Sequence, residues 1–365
     1  MKIIFQKQEL VNAINVVNKA VPSRTTMPIL ECILIDAAPG SVTLTANDME
    51  IGIRTKAAGT VEETGRIAIN SRIFSDIIRK LPDGEVIIET ISGSNVNIKC
   101  EKTSFDIAYL PADEFTELPS VERKNYISIS QFSLKEIIKQ TIFSIAANDN
   151  NKMMNGELFE VKDDVLRVVA LDGYRIAIRR IALKDHYEDE SVIVPGKSLN
   201  EVSRILSDKN DSEVIIYFSE NHILFEFEDT IVVSRLVEGK YFDIDHIIRA
   251  ADHSTTVKIK RQEFMSTIDR AMLLVNEEKK PVIISVKNDE MYVSAVSYIG
   301  SLKESIPVEK AGNDITIGFN PKYIQDALKV IDDEDICMYM VNPRSPCFIR
   351  NDEEGYDYMI LPVNI

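Results

Sequence analysis

The chain has 365 residues, more than one ordinary core of roughly 100–200 residues accommodates, and its 45% hydrophobic and 27% charged residues exclude a disordered chain. Lys and Arg number 42 against 58 Asp and Glu, a balance of −16 that excludes a protein coating nucleic acid or anionic lipid with its whole surface. Any contact with a polyanion has to be local.

In chain order, a short strand followed by an amphipathic helix is read six times. The first is KIIFQKQELVNAINVV at 2–17, where Leu10, Ile14 and Val17 recur at helical spacing. IAINSRIFSDIIRKLP at 67–82, YISISQFSLKEIIKQT at 126–141 and VIVPGKSLNEVSRIL at 192–206 follow. TVKIKRQEFMSTIDRA at 256–271 and TIGFNPKYIQDALKVI at 316–331 complete the set. These are two interleaved series, and in the second Phe74, Leu199 and Ile324 are spaced by 125 residues each. After each helix come β-branched, alternating stretches with turn residues, such as EVIIYFSENHILFEFEDTIVVSRLV. The repeating unit is therefore strand, helix, then strands. Six units predict an α+β fold of three similar domains at 1–122, 123–250 and 251–365, each a pair of units closed on one another, with polar and small residues breaking the pattern near 122 and 250.

Charge is distributed unevenly over these elements. The six helical segments sum to +7, leaving −23 on the remainder. In the second series the cations are in register: Arg72 and Arg79, Lys197 and Arg204, and Lys322 and Lys329 are pairs seven residues apart, two turns and about 10 Å along one helix face. A solvated face explains one such pair. Its recurrence in three repeats of an acidic chain predicts a shared surface that meets one polyanion.

Motifs for catalysis fail. Gly196-Lys197-Ser198 ends like a phosphate-binding loop, but Ser191 stands where the required earlier glycine would be. No GxSxG, no GxGxxG and no carboxylate pair beside a His is present, so no catalytic residue is assigned. Asn148-Asp149-Asn150-Asn151 lacks the Gly and terminal Glu of a calcium loop and reads as a turn. Cys32, Cys100, Cys337 and Cys347 form no CxxC, and His186, His222, His246 and His253 form no HxxxH, so neither disulfide, metal nor cofactor is expected. No apolar run reaches the ~20 residues of a membrane span. The opening MKIIFQKQELVNAI lacks a signal peptide's apolar stretch, so a cytoplasmic protein is expected.

Beyond these patterns the chain resembles, over its whole length, the bacterial DNA sliding clamps, the beta subunits of the replicative DNA polymerase III. The resemblance rests on MKIIF at the start, Arg24 with MPIL at 27–30, TANDMEI at 45–51, YLPADEF at 109–115 and MNGELFE at 154–160. It continues through ALDGYRIA at 170–177, SRLVEGKYFD at 234–243, GFNPKYIQDAL at 318–328 and YMILPV at 358–363. It implies a non-catalytic processivity factor, a head-to-tail homodimer closing six domains into a ring around duplex DNA, and nucleoid association during replication. Implied partners are a second copy, double-stranded DNA regardless of sequence, the replicative polymerase catalytic subunit, the clamp loader, repair polymerases and other carriers of a clamp-binding peptide, and no membrane.

The resemblance also implies sites. A hydrophobic peptide pocket would be built from Met154, Leu171, Gly173, Tyr174, Arg175, Ile176, His246, Ile247, Met359, Leu361, Pro362 and Val363, with Tyr174 and Arg175 as polar anchors. Arg24 would join Arg72, Arg79, Lys197, Arg204, Lys322 and Lys329 in facing DNA. Phe105 and Ile107 would meet Leu273 and Leu274 across the subunit joint, with Lys102 and Glu304 a further charge pair. Phe242, His246, Asn151, Gly196 and Asn364 depart from the family's pattern. Two competing readings are a β-rich repeat module that binds protein or glycan and ignores DNA, and a hydrolase for which no residue can be named.

Overall fold

The apolar stripes become buried helix faces in a computed structural model that describes residues 1–146, 150–209, 212–249, 254–275 and 280–365. Seven α-helices lie among the described residues: α1 (Lys7–Val17), α2 (Ser71–Lys80), α3 (Gln131–Lys139), α4 (Gly196–Ile205), α5 (Ile244–Arg249), α6 (Arg261–Val275) and α7 (Pro321–Val330). Six are the predicted ones. The short α5 was not foreseen, because IDHIIR is too brief for a periodic signal. The first helix ends at Val17, where its expected segment ends, and the chain tightens into a 3₁₀ turn over Asn18–Ala20. His253 and the Asn148–Asp149 pair lie outside the described residues; Asn151 caps a 3₁₀ turn by accepting from the Met153 N–H at 3.2 Å.

Repeat register maps onto core position. Leu10, Leu134 and Phe264 are fully buried, as are Phe74 and Leu199, with Ile324 at 1% exposure. Equivalent side chains thus fill equivalent holes, which is why a 125-residue offset survives in the sequence.

Among the described residues, strands form four antiparallel sheets. The chain divides into two compact units, one of residues 1–133 and 197–236, the other of 134–196 and 237–365. The first contains a five-stranded sheet in the order Gly59–Glu63, Lys2–Gln6, Glu85–Ile91, Asn95–Cys100, Thr103–Ala108. It also contains a nine-stranded sheet in which Ile51–Ala57 pairs with Thr230–Arg235, so strands from before residue 122 continue into strands from after it. The Thr55 and Thr230 hydroxyls hydrogen-bond at 2.8 Å within that buried seam.

The second unit repeats the device. Its seven-stranded sheet joins Arg175–Pro195 to Tyr356–Ile360, where Arg180 donates to Asp357 at 2.7 Å. Its four-stranded sheet runs Ser301–Pro307, Glu290–Val296, Val282–Lys287, Ile315–Phe319. Compactness therefore follows the sheets, and residues 123–250 contribute to both units. A two-unit division of this kind could not be read from repeats, because strand pairing between repeats leaves no periodic mark.

Among the buried polar and charged side chains, which include Arg175 and Asp357, one carboxyl stands out. Glu157, on Gly156–Leu171, is completely buried, and neither carboxylate oxygen makes a hydrogen bond of normal geometry, because the Thr141 hydroxyl beside it donates to the Ile137 carbonyl at 2.7 Å instead. Burial pushes its pKa well above the usual carboxylate range, so the fold favours its protonated form. Unfolded, it ionises above about pH 4.3, so its cost to stability is absent below that pH and grows as pH rises toward the raised folded value. Replacing Glu157 by Leu should therefore raise stability by about 1–3 kcal/mol at pH 8 and by less at pH 5, read from urea denaturation at both pH values. A Leu variant less stable than the parent at pH 8 would show that the carboxyl is satisfied in solution.

Candidate functional site

An apolar cluster in the second unit gathers residues distant in sequence. Leu158, Leu171, Ile176, Ile178, Tyr241, Phe348 and Met359 are buried in it, and Met153, Met154, Phe242 and Leu361 pack half-buried at its margin. Of the pocket residues expected from sequence, Met154, Leu171, Ile176, Met359 and Leu361 join this cluster. His246 is exposed on α5, Ile247 and Val363 are 38% and 41% exposed, and Pro362 is half-buried. Ile247 and Val363 stand outside this cluster, and the Val363 N–H donates to the Gly318 carbonyl at 2.8 Å. Phe242, one of the departures, sets its ring edge against Tyr241 at 5.6 Å and extends the same surface. Gly196 opens α4 where an added Cβ would lie 2.2 Å from the Ile145 side chain, so a larger residue there would displace it.

The hairpin at 171–176 is shaped by its own polar groups. Gly173 sits at φ +85°, a conformation that favours glycine, between two strands that pair from Leu171 to Ile176. Asp172 Oδ1 accepts from the backbone N–H groups of Tyr174 and Arg175 at 3.0 and 3.1 Å. The Leu361 N–H donates to the Tyr174 carbonyl at 2.8 Å, tying the C-terminal strand end to the turn.

Arg175 departs from expectation. Read from sequence as a polar anchor for a ligand, it is buried, and its guanidinium is occupied by the chain itself. Nε donates to Asp172 Oδ2 at 2.9 Å, Nη1 to Asp326 Oδ2 at 2.7 Å, and Nη2 to the Phe143 carbonyl. The Tyr323 ring lies 4.5 Å from the guanidinium carbon, and Tyr174 stacks beside Tyr323. A buried cation so paired fixes the hairpin, and removing a partner would strand its charge. Sequence reading missed Asp326, Tyr323 and Phe143, because nothing local pairs them with position 175. Tyr174, 62% exposed, keeps the anchor role open to solvent.

All six cations of the register row are exposed, as is Arg24 on its loop. The structure adds acids that the charge count concealed. Asp76, Glu201 and Asp326 recur at the same 125-residue spacing between the members of each basic pair. Arg204 pairs with Glu201 at 2.8 Å and Lys322 with Asp326 at 2.9 Å. Lys197 reaches Asp48 and lies 3.6 Å from Glu50; burial works against its charge, but the two carboxylates outweigh it and raise its pKa. Arg79 donates to Asn15 on α1 at 2.8 Å.

The residues expected at a subunit joint lie on or beside unpaired sheet edges. Thr103–Ala108 is an outer strand carrying Phe105, 38% exposed, and the half-buried Ile107. Ser301–Pro307 is an outer strand of the four-stranded sheet, and Leu273 on α6 is 79% exposed while Leu274 packs against the core. Lys102 is exposed, but Glu304 is already engaged: Arg270 Nε donates to it at 2.9 Å and Thr267 Oγ1 at 2.9 Å, and Arg270 holds its carboxyl below the ordinary range. The expected Lys102–Glu304 pair would therefore have to share that carboxylate. Val296, Tyr298 and Ile299, at the turn from Glu290–Val296 into Ser301–Pro307, are all more than half exposed.

No group of metal-binding side chains occurs among the described residues, and none of their helices is long and apolar enough to cross a membrane. Comparison with known proteins matches three family models in order: the N-terminal, central and C-terminal domains of the DNA polymerase III beta subunit, at residues 1–119, 128–243 and 248–364. The beta sliding clamp of Bacillus subtilis strain 168 is 36% identical, the alignment covering 100% of this chain and 99% of that one. A DNA polymerase III beta subunit crystal structure from Eubacterium rectale ATCC 33656 is 54% identical with a TM-score of 0.98, covering 100% of both chains. The crystal structure of the Bacillus subtilis DNA polymerase sliding clamp superposes with a TM-score of 0.97 at 34% identity, over 100% of this chain and 99% of that one. On matches spanning all three domains, the chain belongs to the DNA polymerase III beta subunit family, the DNA sliding clamps.

Proposed function

We propose that the protein works as a homodimeric ring of six domains, with boundaries near residues 122 and 250, that encircles duplex DNA and tethers the replicative polymerase, the clamp loader and repair polymerases through one peptide pocket per subunit. The part played is processivity without catalysis, in the cytoplasm and on the nucleoid during replication. The observation that carries this reading is the recurrence of exposed cations at 72, 197 and 322, and again at 79, 204 and 329, in a chain of charge −16. A module that ignores DNA has no need of that register.

Ring closure is supported by two outer strands with unpaired backbone groups, which a head-to-tail contact would cover. Because Leu274 also packs in the core, Leu273 is the cleaner probe. The parent should show a mass near twice 41.2 kDa in solution, and Leu273→Asp should shift it to monomer. A dimeric Leu273→Asp protein would place the joint elsewhere.

For the pocket, the expected ligand is a short peptide with a Gln and one or two Leu or Phe residues, bound mainly by apolar burial at about 25 cal/mol per Å². Truncating Leu361 and Val363 to Ala should weaken such a peptide about tenfold or more, some 1.4 kcal/mol, while the dimer mass stays unchanged. Undiminished affinity, measured by fluorescence anisotropy, would relocate the partner site.

Toward DNA, contact through phosphates alone suits a ring that must be equivalent at every register. Affinity for a short linear duplex should be independent of sequence and fall steeply with salt. Reversing Arg72, Lys197 and Lys329 to Glu together should weaken it and lower the slope of log affinity against log salt by about 1 for each phosphate no longer neutralised. An unaltered slope in a variant that remains dimeric would remove these helices from the DNA path.

A further inference from the structure

Asp326 on α7 is shared by two cations that serve different surfaces. Its carboxylate, 12% exposed, accepts from Arg175 Nη1 at 2.7 Å through Oδ2, and Lys322 Nζ lies 2.9 Å from that same oxygen and 3.1 Å from Oδ1. The two partners are held unequally. Arg175, 8% exposed, is also fixed by Asp172, the Phe143 carbonyl and the Tyr323 ring, so it cannot leave without stranding a buried charge. Lys322 is 58% exposed on its helix and can exchange one anion for another at little cost.

We infer that Asp326 couples the DNA-facing side of α7 to the peptide pocket: a phosphate that draws Lys322 away leaves the carboxylate to Arg175 alone and holds the 172–175 hairpin more firmly. The inference rests on the reading that Lys322 meets duplex DNA and that the hairpin lines the peptide pocket. The connecting chain is short. Arg175 is bound through Nε to Asp172, Asp172 fixes the backbone of Tyr174 and Arg175, and the Tyr174 carbonyl holds the Leu361 N–H. Asp326 is thus a positioning residue that touches neither ligand. The two alternatives for Lys322, bonded to Asp326 or to phosphate, are the two states that DNA biases. Coupling of this kind is reciprocal, so DNA tightens peptide and peptide tightens DNA by the same factor.

The test uses the intact dimer, a fluorescein-labelled peptide containing a Gln followed by Leu and Phe, and a short linear duplex held at saturation in low salt, with saturation checked on labelled duplex. In the parent, DNA should tighten the peptide about two- to fivefold, the scale of one exposed ion pair. Lys322→Gln removes the competitor for Asp326. Its peptide affinity without DNA should equal that of the DNA-bound parent, and DNA should no longer change it. Asp326→Asn should weaken the peptide and abolish the DNA effect, and Asp326→Glu should restore both. A merely structural Lys322 would give none of this pattern. If saturating DNA leaves the parent's peptide affinity unchanged, or still tightens the peptide in Lys322→Gln, the coupling is wrong while the pocket and DNA readings stand. A parent that fails to bind duplex, or fails to bind peptide, overturns those readings and the coupling with them.

Discussion

Backbone pairing across the joints between repeats is the constraint on which the rest depends. A strand edge presents a row of unpaired N–H and C=O groups, and antiparallel pairing is the means of satisfying them. Here Ile51–Ala57 accepts Thr230–Arg235, and Arg175–Pro195 accepts Tyr356–Ile360, each through five registered pairs. Side chains reinforce both seams, by a buried Thr55–Thr230 hydroxyl contact in one and by Arg180 with Asp357 in the other. Thr103–Ala108 and Ser301–Pro307 remain outer strands beside exposed apolar residues, Phe105 on one and Leu273 near the other. The physics that closes the joints within the chain is the physics the proposed ring would use between chains.

Charge follows a different rule from packing. A sliding contact has to be attractive and exchangeable, and a row of bare cations would be only attractive. Acids set between the cations, Glu201 beside Arg204 and Asp326 beside Lys322, give each cation an intramolecular partner to return to. Asp48 and Glu50 do the same for Lys197 from the turn between two strands. Three cations of the register, Lys197, Arg204 and Lys322, are therefore already paired with carboxylates.

At the proposed peptide site, apolar residues supply the surface and buried polar groups fix the hairpin beside it. Leu171, Ile176 and Met359 offer burial to any apolar ligand. What makes the hairpin a defined edge is the Asp172–Arg175–Asp326 ion cluster with its tyrosine cover, in which each charge is answered inside the protein. Glu157 is the contrast: a buried carboxyl that no cation answers, where burial disfavours the charged form.

Local physics made much of this legible in the sequence. Helix positions followed from apolar spacing, because a face that must be buried has to recur every three or four residues, as Leu10, Ile14 and Val17 do. The six repeats and the register of Arg72, Lys197 and Lys322 followed from a fixed offset, and Met154, Leu171, Ile176, Met359 and Leu361, named from motifs that the resemblance supplied, share one apolar cluster. Tertiary structure alone decided which strands pair across the joints, since hydrogen bonds between strands involve backbone groups that every residue carries. It alone decided that Arg175 turns inward, because its partners Asp326 and Phe143 lie 151 and 32 residues away in the chain. And it alone made Asp326 common to two cations: sequence records that a carboxylate stands four residues after Lys322, but only folding brings the guanidinium of a distant hairpin to the same oxygen.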